Sequence, residues 1–535
     1  MKTISLSRTI LLLPLVLFAI CFSWQDASSA PAGATFNPDK DLISLHYDHA
    51  PDRDDGQSAA ADRTILETMF PTHWIRKHVV PVSGAYGKNK KSFRKDSDLV
   101  MQATWNKPGG WIGAHDDWDA ATKALVARWS RTFDAGGDVW IKEGGQSDLS
   151  AAAIRTVKKT KPDIKTTKRI HLVQHSNWNE NQTSDEALAY VKKETDYIRI
   201  PDANRYLNRK GGDADFQKAA LTHPLFGDAW KAAFKYYDPK HRLDFSDSGE
   251  LMRILELGEC GIDKFKKMFL GLSCGKEAGK VVGGFKFTEG PAPDGKGDVY
   301  FTDIPNNRIH RWSVEGALST FREDSGGSNG LIFDKDGNLL ACEGGRGQVV
   351  SITPGGKTTV LASKYRKKRF NRPNDLWIDP EGGIYFTDPN YGRGGIEQDG
   401  EHVYYLPPGG KAPVRVIDTM TRPNGIVGTP DGKTLYVADH GQGKVFTYLI
   451  GDDGGLSGRK FFAAVGCDGM ELDREGNVYL TSYAVQVFNP EGDMIEIIPL
   501  PERPANVCFG GKERKTLFIT ARTSLYAVRR EIGGC

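Results

Sequence analysis

Six polar residues stand at the head of one recurring phrase in the second half of the chain: Glu289, Asn329, Asn374, Asn424, Asp468 and Asn506. Its clearest copy reads Arg372-Pro-Asn374-Asp-Leu-Trp-Ile-Asp379-Pro-Glu-Gly-Gly-Ile-Tyr-Phe-Thr387-Asp388. The lead residue precedes a short apolar run, a Pro/Asp/Glu/Gly turn and a second apolar run ending in Thr, Ser or Ala. Two carboxylates and four amides make an oxygen-rich set, which suits a hard divalent cation. Asn-Gly and Asp-Gly are also turn formers in their own right. Six copies in register, one of them Glu289-Gly-Pro, favour a shared role over six separate turns.

The elements that must bring these side chains together follow from the spacing. The lead residues lie 40, 45, 50, 44 and 38 apart. Two apolar runs around a Gly-containing turn form a β-hairpin. Six such units at this period predict a six-bladed β-propeller over residues 281–532. Rotation about one axis then carries the six lead positions into a ring. Closure should pair Ser524–Val528 with a strand near Val281–Phe287. Trp377, Tyr385, Phe386, Tyr436 and Tyr479 read as blade core. Asp303, Asp388 and Asp439 end strands at equivalent places and read as turn caps. Gly326-Gly-Ser328-Asn-Gly330 fits the G-x-S-x-G pattern, but it leads into a hairpin and not a helix, so Ser328 is not expected to be a nucleophile.

The first half, residues 35–268, alternates strand and helix. Strands are expected at Leu42–Tyr47, His78–Ser83, Asp138–Lys142, Arg169–Gln174 and Tyr197–Ile200. Helices are expected at Ser58–Phe70, Trp118–Phe133, Asp148–Lys159 and Ser184–Glu194. This order implies a mainly parallel sheet with flanking helices, so the chain is multi-domain: α/β first, all-β after. Ligands bind beyond the carboxyl ends of such strands. Those ends read Asp48-His-Ala-Pro-Asp52-Arg-Asp54-Asp55, Glu143-Gly-Gly-Gln-Ser-Asp148 and Gln174-His175-Ser-Asn177-Trp178-Asn179-Glu180-Asn181. Such clusters can hold a cation or activate water. Residues 269–280 read as a linker.

The 535 residues carry a net charge of +3, with 39% hydrophobic and 26% charged residues. That balance gives no sign of a nucleic-acid partner or a stable membrane anchor. Residues 1–30 combine Lys2, Arg8, an apolar run from Ile10 to Phe22 and the small residues Ser28-Ser-Ala30. They read as a secretory signal peptide, placing the mature protein in the periplasm or outside the cell. Export permits disulfides, and Cys260 with Cys274 is a candidate pair; Cys342, Cys467 and Cys508 read as buried thiols. Two basic runs, Lys88–Lys95 and Lys364–Arg369, read as solvated loops. The second, just before Arg372, offers attraction for anions.

Two resemblances sharpen these readings. Phe287-Thr-Glu289-Gly-Pro, Arg372-Pro-Asn374-Asp, Arg422-Pro-Asn424-Gly and Cys467-Asp468-Gly-Met resemble the gluconolactonase, regucalcin and related lactonase family, in order across 281–530. The resemblance implies a six-bladed propeller holding one divalent metal, Ca²⁺ first, with Zn²⁺, Mn²⁺ or Mg²⁺ as alternatives. It implies Glu289, Asn424 and Asp468 as metal ligands and Asn374 as a further ligand or substrate contact. It also implies Arg372 as a substrate contact, Asp468 as general base and a small lactone as substrate. The first strand end is similar to the opening motif of nucleoside hydrolases at Asp48, Pro51, Asp54 and Asp55. Ala50 replaces a metal-ligating Asp and Asp52 a Gly, and Asn181 resembles that family's Asn. This implies cleavage of N-ribosides or a repurposed α/β domain. Rival readings are a propeller that binds a ligand or partner without catalysis, and a bifunctional hydrolase.

Overall fold

The computed structural model describes residues 34–51, 53–88, 90–237, 242–271, 273–392, 394–409 and 412–535. The segment 1–30, expected to be a signal peptide, and Asp52 lie outside these described residues. Apolar runs in the first half form a six-stranded parallel sheet. Its strands are β1 (Leu42–Tyr47), β2 (Val79–Ser83), β3 (Ile112–Gly113), β4 (Val139–Gly144), β5 (Ile170–Gln174) and β6 (Asp196–Arg199). They run in the order 3-2-1-4-5-6. All six residues of β1 and of β4 are buried, as expected of central strands covered on both faces. Helix α1 (Asp55–Met69) starts where the Asp54 carboxylate accepts from the Asp55 amide. Its Ala59-Ala-Ala61 run is fully buried, so this helix sits inside the domain and not on its surface. Helix α2 (Thr72–His78) follows after one turn and leads straight into β2.

The second half is the six-bladed propeller, each blade a four-stranded antiparallel sheet. The last blade joins Pro504–Gly510, Thr516–Ala521 and Ser524–Arg529 to Gly279–Gly283, with Ser524 opposite Gly283 and Leu525 opposite Val282. The closing strand begins two residues before the expected one and ends short of Phe287, which turns in toward the axis. Closure leaves only short, protected strand edges. Trp377, Tyr385, Phe386, Tyr436 and Tyr479 are buried in the blades. Ser328 lies on a strand, and its hydroxyl donates to the Ser325 carbonyl at 2.6 Å. Asp388 accepts from the Asn371 and Arg372 amides, Asp303 from Lys286 and Phe287, and Asp439 from Thr421 and Gln442. These three carboxylates thus pin the loop entering each innermost strand.

Residues 36–535 form one packed unit. The stretch read as a linker is itself structured. Phe269 and Leu270 are buried, Cys274 bridges to Ile497, and the Gly275 amide donates to the Ile497 carbonyl at 2.7 Å. All six cysteines of this region are free. The Cys260–Cys274 pairing does not form because Cys260 is buried beside Met268, with its sulfur 3.8 Å from Sδ, while Cys274 is exposed. Of the basic run, Arg369 is tied to the Gly345, Arg346, Phe370 and Asn371 carbonyls, a structural use of its donors. Among the described residues no helix is long and apolar enough to cross a membrane.

Candidate active site

In four blades the lead residue sits where the innermost strand departs from regular pairing, while Asn374 and Asp468 lie just ahead of theirs, Leu376–Ile378 and Met470–Leu472. The register shifts between Glu289 and Ala292, Ser328 and Leu331, Pro423 and Ile426, and Pro504 and Asn506. A bulge re-aims a side chain, and here it turns these groups toward the axis. Neighbouring blades meet closely at the same level. A Cβ on Gly290, whose φ is +46°, would lie 2.1 Å from the Asn329 carbonyl oxygen, and one on Gly425 2.5 Å from that of Asp468. That close approach explains Glu-Gly, Asn-Gly and Asp-Gly better than turn formation does.

A cavity of about 310 Å³ opens over this ring, lined by Glu289, Asn329, Asn374 and Asp468 together with Phe287, Tyr391, His440, Arg503 and Arg522. Asn424 Nδ2 donates to Asp468 Oδ1 at 2.6 Å and to the Tyr391 hydroxyl at 2.8 Å. Both N–H groups are thereby engaged, which leaves Oδ1 as the remaining acceptor; Asn424 itself is not among the residues lining the cavity. Glu289 accepts from the Gly290 amide at 2.8 Å. Burial, and then the charge of Asp468, pushes the Glu289 pKa well above its usual 4.5. Neither Glu289 nor Asp468 has an ion-pair partner among the described residues. His440 is fixed by the Cys467 carbonyl at 3.1 Å, and burial holds its pKa below 6.5 against the pull of Asp468.

The six lead residues divide by depth. Asn506 stands between the two levels: it hydrogen-bonds Glu289, its Nδ2 donates to Asp375 Oδ2 at 3.4 Å, and it lines the opposite opening. Burial pushes Asp375 up to about 7. Asp375 takes the place that Gly holds after most lead residues, a departure visible in the chain but not exploited by the sequence reading. A second opening of about 550 Å³ at the other end of the axis is lined by Asp375, Glu471 and Asn506. Arg372 is not among the residues lining the cavity. Its side chain is exposed and packs against Gly392, where a Cβ would lie 2.3 Å from the guanidinium carbon. Arg503, Arg522, Tyr391 and His440 were missed because each belongs to a loop outside the repeated phrase.

No group of three or more His, Cys, Asp or Glu positioned for a metal occurs among the described residues. The propeller set has a different make-up: two carboxylates with amide oxygens. It fits a hard cation, because two buried carboxylates meet there with no ion-pair partner among the described residues; Arg503 lines the same cavity and feels the charge of Asp468 without pairing with it.

The α/β half carries its own cavity, about 270 Å³, at the carboxyl ends of β1 and β4 where strand order reverses. Asp48, Asp54, Asp55, His175, Asn179 and Asp247 line it. Asn181 does not; it is exposed, and Asn179 takes the place facing the cavity. Asp55 Oδ2 accepts from the His49 amide at 2.5 Å, while Oδ1 is buried without a hydrogen bond. Beneath the floor lies Lys142, fully buried, with Nζ 3.5 Å from Asp62 and 4.2 Å from the Tyr47 ring centroid. Burial alone would lower its pKa. Asp62, Asp247, Glu250 and Asp55 together hold it above 10.5. Ala50 brings no metal ligand to this cavity, and the ammonium supplies only part of the positive charge its acids need: burial and neighbouring carboxylates still push Asp55 and Asp247 well above the usual range.

Residues 287–523 match the family described as "SMP-30/Gluconolactonase/LRE-like region". A gluconolactonase of Zymomonas mobilis is 28% identical over 291 residues, covering 48% of this chain and 81% of the relative. Lactonase drp35 of Staphylococcus aureus is 26% identical over 237 residues, 40% of this chain and 70% of the relative. A solved gluconolactonase from Xanthomonas campestris aligns at 30% identity and TM-score 0.45, over 47% of this chain and 88% of that one. The propeller half, residues 287–523, thus matches the SMP-30/gluconolactonase-like family.

Proposed function

We propose that the propeller half is a lactone hydrolase that uses one divalent cation, Ca²⁺ first, held by Glu289, Asn424 and Asp468 with Asn374 beside them. The observation that carries this reading is the meeting of two buried, unpaired carboxylates with oriented amides in an open cavity, in a region whose relatives are named lactonases. When bound, such a cation polarises an ester carbonyl and lowers the pKa of water.

The protein's own groups have distinct tasks. Asp468 takes a proton from the attacking water as its oxygen bonds to the lactone carbonyl carbon. Asn424 orients that carboxylate through its 2.6 Å contact. Asn374, on the cavity wall, offers its amide to the sugar hydroxyls. The ring C–O bond then breaks, and the proton returns to the departing alkoxide to give the open hydroxy acid. Arg372, the substrate contact implied by the resemblance, stands outside the lining as placed and would have to swing in around Gly392.

Hydrolysis of a panel of sugar lactones, with and without chelator, tests this reading. Turnover that vanishes with chelator and returns with Ca²⁺ supports it. No turnover on any lactone favours a binding propeller. We further propose that the mature chain is exported, which N-terminal sequencing of secreted protein checks at Ala30. A second activity in the α/β half, on N-ribosides, is favoured by one feature only, the unpartnered Asp55 Oδ1 at its cavity. Riboside cleavage unaltered in Asp54→Asn and Asp55→Asn variants would remove it.

A further inference from the structure

The propeller cavity is not built by the propeller alone. Pro71 and His73, where α2 begins, line the same space as Glu289, Asn374 and Asp468. The segment carrying them is fastened to the blades on either side. The Thr68 carbonyl accepts from the Gly466 amide at 3.3 Å. A Cβ on Gly466 would lie 2.0 Å from the Met69 carbonyl oxygen, and one on Gly443 2.7 Å, so both loops need glycine to admit the helix end. Asp39 pairs with Arg422, two residues before Asn424. Ala464 packs into the apolar core of the α/β half. The α/β half therefore forms one wall of the mouth.

That mouth is cationic. Arg503 and Arg522 both line it. Among the described residues neither guanidinium has a hydrogen bond or an ion pair. Arg522 lies 5.6 Å from the Phe287 ring centroid, and the nearby Glu67 is engaged by Arg63 at 3.4 Å. The neighbouring Arg422, by contrast, is neutralised by Asp39. The two guanidinium groups repel one another; Arg503 feels the charges of Asp468 and Glu67 without a hydrogen bond to either, Arg522 is exposed, and an anionic ligand offers both an acceptor. Their planar donor forks match a carboxylate, sulfonate or phosphate. Burial and these arginines hold His73 below 6.5, leaving a neutral ring that adds a hydrogen-bonding group.

We propose that this composite mouth selects a lactone bearing a second, anionic group, whose oxygens are taken by Arg503 and Arg522 under the wall formed by Pro71 and His73. The inference rests on the lactonase reading for its reaction and on the arginines for its selectivity. It divides the cavity into a negative floor for chemistry and a positive mouth for recognition.

The test compares glucaro-1,4-lactone, which keeps a free carboxylate, with its methyl ester on the full chain. The expected result is a kcat/KM at least about tenfold higher for the acid, a preference that weakens as salt rises. An Arg503→Gln/Arg522→Gln variant should bring that ratio toward one, and Arg503→Lys should keep part of it. Arg522 is exposed, so Arg522→Glu alone, checked for an unchanged melting temperature, should reverse the preference if the double variant does not fold. Calorimetry with glucarate, which cannot be hydrolysed, reads anion binding without turnover. Equal kcat/KM for acid and ester, or a preference that survives the double substitution, overturns the proposal. If neither lactone is opened, the lactonase reading fails, and glucarate binding by wild type but not the double variant still upholds the anion site. Its absence in both overturns the anion site as well.

Discussion

The two cavities of this chain gather acids in opposite ways. In the α/β half, Lys142 is fully buried among Asp55, Asp62, Asp247 and Glu250, so the positive charge is part of the sequence. In the propeller, Glu289 and Asp468 face one another with hydrogen-bonding amides and no lysine or arginine within ion-pair range among the described residues. Buried charge must be compensated from somewhere. One cavity therefore carries a built-in counter-charge that compensates part of its acids, while burial and neighbouring carboxylates still push Asp55 and Asp247 well above the usual range. The other has no lysine among its acids, so its compensation must come from elsewhere.

The largest expected effect is on chemistry. Asp468→Asn should lower kcat on lactones by about 10²–10⁴, the usual loss of a general base, while melting stays close to wild type. Next comes Lys142→Met, which strands the carboxylates around it and should cost about 3–5 kcal/mol of unfolding free energy in denaturant titrations. The sign with pH follows from the raised Lys142 pKa. The ammonium's contribution is fully present below 10.5 and lost as pH rises through the higher folded value, and the cost of the substitution should shrink toward acid pH as Asp55 and Asp247, held well above the usual carboxylate range, become protonated.

A smaller effect separates the cavities by cation. Ca²⁺ at about a hundred times its Kd should stabilise the wild type by about 2.7 kcal/mol, and Glu289→Gln should abolish that gain while stabilising the metal-free protein. Asp55→Asn should leave lactone kcat/KM within about twofold, because its cavity plays no part in that reaction. Arg372→Gln should cost less than about threefold in kcat/KM, since the side chain stands outside the cavity lining. A loss above tenfold would show that Arg372 swings into the cavity during turnover.

Much of this contrast could be read from the chain. Period and phrase placed Glu289, Asn374 and Asp468 at one cavity because blade symmetry is a property of sequence spacing. Five of the six α/β strands fell within one or two residues of the expected bounds, since apolar runs fix them, while β3, only Ile112–Gly113, was not expected. The same reading put six lead residues in one ring, yet Asn506 bonds both Glu289 in it and Asp375 below it, a depth set by the bulge and not by the period. Arg503 and Arg522 escaped notice because they belong to loops between repeats. Pro71 and His73 could not be foreseen at all, because the fit of one half on the other depends on glycines meeting a helix end. Asn181 was chosen over Asn179 by resemblance, and the turn of a short helix decides which one faces inward.

The most direct test is calorimetric titration of Ca²⁺ into the metal-free full chain, alongside Glu289→Gln and Asp55→Asn. The account predicts one equivalent bound by wild type and by Asp55→Asn, and none by Glu289→Gln. An equivalent that survives Glu289→Gln and disappears in Asp55→Asn, or no binding by the wild type, would contradict it.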